Sequence, residues 1–241
     1  SFDTPVSRAI ALEDDVDKAP WILVFTGGDG TAGNAVFAEA AQANINVGNK
    51  SYVLLRPQSG KSWVLILANP QDKFYVGSMS YDFSVDNFND LFTNKTLTNV
   101  TALLSAMPMT AGVVVSAPPF VNKMLPMSYL SEATEGINVN TKIGTSTVPL
   151  ELTRAVAKIV VKSTVADFTL SGIHSVYNMN KNTVLHNLSG NLETAASMVD
   201  YIRNDANEDF VSATANVTDP IYVYEAKSGT GAYMIIRAFY K

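Results

Sequence analysis

Cysteine is absent from all 241 positions of this chain. That excludes disulfides, thiolate nucleophiles and Cys-ligated metal sites. It fits either a reducing compartment or an exported bacterial protein that folds without disulfides. Long apolar runs are missing too. Stretches such as Trp63–Ala68 (WVLILA) fall far short of the ~20 residues a membrane-spanning helix needs. Charge is scarce: Lys, Arg, Asp and Glu make up 16%, with a formal net charge of −5. No basic patch interleaves with aromatics, so nucleic acid is excluded as a partner. The chain opens at Ser1 without Met or a signal peptide, which is expected of a processed or trimmed product.

What is present is apolar and β-prone. Hydrophobic residues reach 47%, enough for a sizeable core. Residues 1–19 read as an extended arm with an acidic patch, LEDDVDK, at Leu12–Lys18. Trp21–Phe25 (WILVF) reads as a strand, followed by a Gly-rich turn at Gly27–Gly33 (GGDGTAG). Asn34–Ala43 reads as a short helix. Ser51–Arg56 and Ser62–Ala68 read as strands joined by the hairpin-length turn PQSGK, with Asn69-Pro70 stopping the second. Val85, Phe88, Leu91 and Phe92 recur at helical spacing, so one or two short helices are expected in 85–105. Gly112–Ser116 reads as a strand, and Pro118-Pro119 as an edge or corner. In Pro149–Lys162 (PLELTRAVAKIVVK), strand alternation sets Ala155, Ala157, Ile159 and Val161 on an apolar core face. Arg154, Val156, Lys158 and Val160 fall on a mixed outer face. Asp167–Tyr177 reads as a strand kinked at Gly172. Asn191–Arg203 reads as a helix capped by Asn191, and Ile221–Glu225 with Ala232–Tyr240 as a closing hairpin. The fold class expected is mainly β, in sandwich form with a few short helices, divided near Gly144–Pro149 into domains of residues 1–148 and 149–241.

Chemistry is thin. Gly28-Asp29-Gly30-Thr31-Ala32-Gly33 satisfies G-x-G-x-x-G after a strand and before an expected helix, the context of a dinucleotide-binding turn, with Arg56 placed to meet a 2′-phosphate. A plain turn whose glycines supply positive φ competes with it, and is favoured because no further strand–helix alternation follows. His174 and His186, flanked by Asp167 and Glu193, lie twelve apart, too far for the usual close zinc pair. Glu13, Asp14, Asp15 and Asp17 lack the alternating ligands and central Gly of a calcium loop and read as a solvated arm. No G-x-S-x-G nucleophile elbow occurs. Four N-x-S/T matches, at Asn94, Asn99, Asn187 and Asn216, are expected by chance in an Asn- and Thr-rich chain. No catalytic residue, cofactor or metal is assigned, and the chain is not read as an enzyme.

Five segments resemble, in order, those of the fimbrillins, the major and minor subunits of the type V pili of Bacteroidales. They are WVLILANP (Trp63–Pro70), LPMS (Leu125–Ser128), PLELTRAVAKIVVK (Pro149–Lys162), FTLSGIHSVYNMN (Phe168–Asn180) and IYVYEAKSGTGAYMIIRAFYK (Ile221–Lys241). The resemblance implies two transthyretin-like β-sandwich domains and a structural rather than catalytic role. It implies export as a lipoprotein to the outer membrane and cell surface, removal of an N-terminal strand by an Arg-directed protease, and polymerisation with other pilus subunits by donor-strand exchange. The processing bond aligns with Arg8–Ala9. The family pattern continues beyond the position of Lys241, so the second domain is expected to lack its last strands here. A tip or accessory adhesin of the same fold, binding a host protein or glycan, is the alternative role.

Overall fold

The structure, a computed structural model, describes residues 16, 18–46, 50–106, 108, 125–144, 150–188, 198–203, 207–224 and 231–240. In chain order the strands are β1 (Trp21–Thr26), β2 (Val36–Gln42), β3 (Asn44–Asn46), β4 (Lys50–Tyr52), β5 (Gln58–Ala68), β6 (Lys73–Val76) and β7 (Met79–Asp82). Helices α1 (Val85–Phe92) and α2 (Leu97–Leu103) follow. Next come β8 (Met127–Leu130), β9 (Thr134–Ile137), β10 (Thr153–Arg154), β11 (Val156–Ile159), β12 (Phe168–Asn180) and β13 (Met198–Tyr201). The last are β14 (Val211–Thr214), β15 (Val217–Thr218), β16 (Ile221–Tyr224) and β17 (Tyr233–Tyr240). The chain forms two compact units. The first draws its described residues from 16–72, 82–100 and 125–154, the second from 73–81, 101–108 and 155–240. The architecture is mainly β, with two large antiparallel sheets and two short helices, in keeping with a sandwich-type fold.

In the first unit a six-stranded sheet runs β10-β8-β5-β1-β2, with β9 also paired to β5. Every residue of β1 from Trp21 to Phe25 is buried, because the strand lies between β2 and β5 and is covered on both faces. One face packs Ile22 and Val24 with Ala43, Val64 and Ile137. The other carries an aromatic chain that reaches α1: Trp21 meets Phe88 at 5.3 Å, Phe25 meets Phe37 at 5.9 Å, and Phe37 meets Phe92 at 6.3 Å. α1 forms where expected. Ser84 caps it by accepting from the Asn87 N–H at 3.2 Å, and Phe88 and Phe92, one turn apart, bury fully on the same face.

The second unit is organised by β12, the spine of a seven-stranded sheet in the order β11-β16-β12-β14-β15, with β13 and β17 also on β12. Leu170, Ile173 and Val176 bury on one face of this strand, and register shifts on either side of Gly172–Ile173 bend its pairing with β17.

Several expectations are corrected. Asn34–Ala43 is not helical: its Ala-rich composition favours a helix, but pairing along β1 makes it β2. Ser51–Arg56 does not form a hairpin with β5; Lys50–Tyr52 pairs with Asn44–Asn46 instead, and PQSGK runs into β5. The strand read in Pro149–Lys162 is broken. Thr153–Arg154 pairs with β8 in the first unit, and Val156–Ile159 pairs with β16 in the second. Its faces depart from the expected alternation at Val156, which is buried, and Ala157, which is exposed, whereas Ile159 and Val161 stay less exposed than Lys158 and Val160. Met198–Tyr201, expected as the end of a helix, is a strand on β12; residues 191–197 lie outside the described residues. β16 and β17 are not a hairpin. Both are antiparallel to β12, with Tyr224 opposite Asn180 and Tyr233 opposite Tyr177. Gly112–Ser116 and Pro118-Pro119 lie outside the described residues.

Candidate functional site

The Gly-rich turn is the first candidate. Gly27, Gly28, Asp29 and Gly30 all have positive φ, and the Gly27 N–H donates to the Lys61 carbonyl at 3.0 Å. Gly28 cannot be replaced without movement, since an added Cβ would lie 2.3 Å from the Ala35 nitrogen. The turn's donors are engaged by its own carboxylate. The Thr31 hydroxyl donates to Asp29 Oδ1 at 2.7 Å, and the Asn34 amide donates to Oδ2 at 3.2 Å. These bonds hold the Asp29 pKa below the usual carboxylate value, the Thr31 hydroxyl contributing most. An exposed carboxylate thus takes up the polar donors of Thr31 and Asn34 and sets a negative charge beside the turn, which disfavours a phosphate there. The segment after the turn is β2, antiparallel to β1, so this is a hairpin connection and not the strand–turn–helix of a dinucleotide fold.

Arg56 is likewise committed. Its Nε lies 3.2 Å from Glu39 Oε2, its Nη2 donates to the Ala38 carbonyl at 3.1 Å, and its backbone N–H donates to Glu39 Oε1 at 2.8 Å. Glu39 is 7% exposed and sits on β2, where its carboxylate ties the segment before β5 to the sheet.

The two histidines have different surroundings. Burial holds the His186 pKa below its usual value. His174, on β12, joins a polar cluster that sequence reasoning missed. The Ser171 hydroxyl donates to Asp209 Oδ2 in a very short bond. Arg237 on β17 places its Nε 3.5 Å from Asp209 Oδ1, its Nη2 2.9 Å from His174 Nδ1, and its Nη1 2.6 Å from the Asn207 carbonyl. The Asp209 side chain is only 6% exposed and lies 3.7 Å from His174 Nδ1. Ser, His and Asp thus meet, but both Ser171 and His174 face the carboxylate, so no imidazole is placed to take the proton of this hydroxyl. The cluster ties β12 and β17 to the segment that leads into β14. Gly172 permits the close approach: an added Cβ would lie 2.2 Å from the Val211 carbonyl and 3.0 Å from Asp209 Oδ2. Among the described residues no three metal-ligating side chains come together.

Arg8, Ala9, Glu13, Asp14, Asp15, Asp17 and Glu193 lie outside the described residues. Among the described residues no helix is long and apolar enough to cross a membrane.

No protein-family model matches the chain, and no curated protein matches it. Solved structures do. A tip fimbrial protein from Porphyromonas gingivalis, determined with a C-terminal truncation, superposes with a TM-score of 0.49 at 15% identity, over 93% of this chain and 77% of that one. A fimbrial assembly protein from Parabacteroides distasonis gives 0.47 at 14% identity, over 97% and 77%. The fimbrial anchor protein of Porphyromonas gingivalis gives 0.42 at 10% identity, over 94% and 71%.

Proposed function

We propose that this chain is a non-enzymatic structural subunit of a bacterial cell-surface pilus, of the fimbrillin type. One observation carries the reading: the five fimbrillin-like segments occupy organising positions in the fold. WVLILANP covers the end of β5, at the middle of the first sheet, and LPMS opens β8 beside it. LELTRAVAKI spans β10 and β11, where the chain leaves one unit for the other. FTLSGIHSVYNMN is β12, and the last segment supplies β16 and β17.

In this reading each unit is a transthyretin-like sandwich. A precursor carries a lipid anchor to the outer membrane, and an Arg-specific protease cuts at Arg8–Ala9. The groove so opened takes a strand from the next subunit. A donor strand burying about four side chains contributes ~1.5–3 kcal/mol for each. Backbone pairing adds ~1 kcal/mol per hydrogen bond. Association costs of several kcal/mol are then exceeded.

Treatment of the chain with an Arg-specific protease tests this. Mass spectrometry is expected to find a product beginning at Ala9, and electron microscopy to find filaments. The Arg8→Ala variant is expected to stay uncut and unpolymerised. If that variant is cut and assembles like the parent, the processing bond is elsewhere. If the cut parent forms no filaments, the pilus reading fails.

A further inference from the structure

The pairing of β12 with β17 passes over two residues of β12. Leu170 faces Ala238, Gly172 faces Arg237, Ile173 faces Ile236 and Ser175 faces Ile235, so Ser171 and His174 are skipped. Each is the extra residue of a bulge, a feature that re-aims a side chain. In a regular strand residues three apart point to opposite faces. Here both side chains reach one carboxylate: the Ser171 hydroxyl donates to Asp209 Oδ2, and His174 Nδ1 lies 3.7 Å from Asp209 Oδ1. The proton positions follow from the donors. Arg237 Nη2 lies 2.9 Å from His174 Nδ1. A guanidinium has donors only and keeps its charge, so Nδ1 is the acceptor and the ring proton sits on Nε2. The imidazole is therefore neutral in this arrangement. Asp209 Oδ1 is buried and lies 3.5 Å from Arg237 Nε, yet among the described residues no hydrogen bond reaches it. An unfilled acceptor thus stands beside a ring nitrogen that has no proton to give.

We propose that His174 is a proton-operated latch on β17, with Asp209 Oδ1 as the acceptor to which the protonated ring turns. The neutral ring accepts from Arg237 and so holds a side chain of β17 against β12. Histidine is the side chain that changes charge between about pH 5 and 8. A proton on Nδ1 removes the acceptor and brings two positive charges into contact, which repel. The new N–H closes on Asp209 Oδ1, and Arg237 swings off the imidazole, left with the Asn207 carbonyl. Other charges on the neighbouring elements are few. Besides Arg237, β17 carries only Tyr233 and Tyr240 as titratable groups, and β14 and β15 carry none. β16 carries Tyr222 and Tyr224. β13 carries Tyr201 and Asp200, whose Oδ1 accepts the Asn178 N–H at 2.9 Å. Glu208, next to Asp209, pairs with Arg203 at 3.1 Å. Arg237 and Asp209 are thus the charged groups set against the imidazole. The exchange gives Asp209 one cation in place of another, so it acts on the hold of β17 more than on the stability of the whole unit.

NMR of the whole chain tests this. At about pH 8 the imidazole nitrogen shifts of His174 are expected to report the Nε2–H tautomer. Amide hydrogen exchange, corrected for the intrinsic effect of pH, is expected to show the protection of β17 falling about 10-fold between about pH 8 and about pH 5, with β16 unchanged. His174→Gln cannot titrate and offers Arg237 a side-chain oxygen, so this variant is expected to lose the fall. An Nδ1–H tautomer, equal protection of β17 at both pH values, a fall shared equally by β16, or the same fall in His174→Gln would overturn the proposal. The first three are read on the parent chain and stand whether or not the variant folds.

Discussion

Replacing Glu39 separates two contributions that the geometry places on one carboxylate. Oε1 accepts the Arg56 backbone N–H at 2.8 Å, and Oε2 faces the Arg56 guanidinium at 3.2 Å. The guanidinium side chain is 70% exposed, whereas the Glu39 side chain is 10% exposed. Solvent screening holds the side-chain pair to ~0–1 kcal/mol. A part-buried backbone donor stripped of its acceptor costs ~1–3 kcal/mol. Glu39→Ala is therefore expected to destabilise the first unit by ~2 kcal/mol, and Arg56→Ala, which keeps the backbone bond, by less than ~1 kcal/mol. Glu39→Gln retains an oxygen acceptor and should fall between them. Urea unfolding followed by tryptophan fluorescence suits this comparison, since both tryptophans, Trp21 and Trp63, are buried in that unit's sheet. With a slope of ~1–3 kcal/mol/M, the Ala variant's midpoint falls by about 1 M. Equal losses from Glu39→Ala and Arg56→Ala would refute the reasoning, because the exposed ion pair would then be the dominant tie.

Gly172→Ala is expected to destabilise the second unit by at least ~2 kcal/mol, because backbone at Val211 must move; thermal unfolding by circular dichroism with no loss would contradict the close approach. Asp29 should titrate below 3.8 by NMR, and Thr31→Val should bring it back toward that value. Its pKa is depressed in the fold, so its contribution is present above 3.8 and disappears as pH falls through the folded value. Tyr201 is 1% exposed, and burial pushes its pKa up to about 12. Its contribution is complete below 10 and is lost as pH rises toward 12; absorbance titration should find one tyrosine ionising only at the top of that range.

Legibility in the chain followed local physics. β1 and the apolar half of β5 are runs of aliphatic and aromatic residues that only a covered strand accommodates, and α1 repeats phenylalanine at one-turn spacing. β2 was misread because Ala, Glu and Gln carry high helix propensity, while the pairing that overrides it comes from β1 and cannot be seen locally. The β16–β17 hairpin failed for a related reason: spacing tells that two strands are near in sequence, not that both lie along a third. The Asp209 cluster brings together residues as far apart as His174 and Arg237, 63 positions, and no periodicity encodes such a meeting. Gly172, read as a kink, was its one visible trace. The glycine turn shows the reverse case. Its pattern was plain, but its third residue, Asp29, takes up the Thr31 and Asn34 donors with a carboxylate, which disfavours a phosphate.

The interleaving of the two units constrains the order in which the protein can fold. Residues 73–81 and 101–108 belong to the second unit, yet they leave the ribosome before most of the strands they join, which lie in 155–240. Tyr75 bonds to Ser105 early, but Ser105 must wait for Val184, and Ala106 for the Thr183 carbonyl. The first unit is not finished until Thr153–Arg154 reaches β8. Vectorial synthesis therefore presents two incomplete sheets at once, each with open edges. A nascent chain of this kind is expected to depend on chaperone cover until its last strand has been made, and neither unit can be excised as one contiguous fragment.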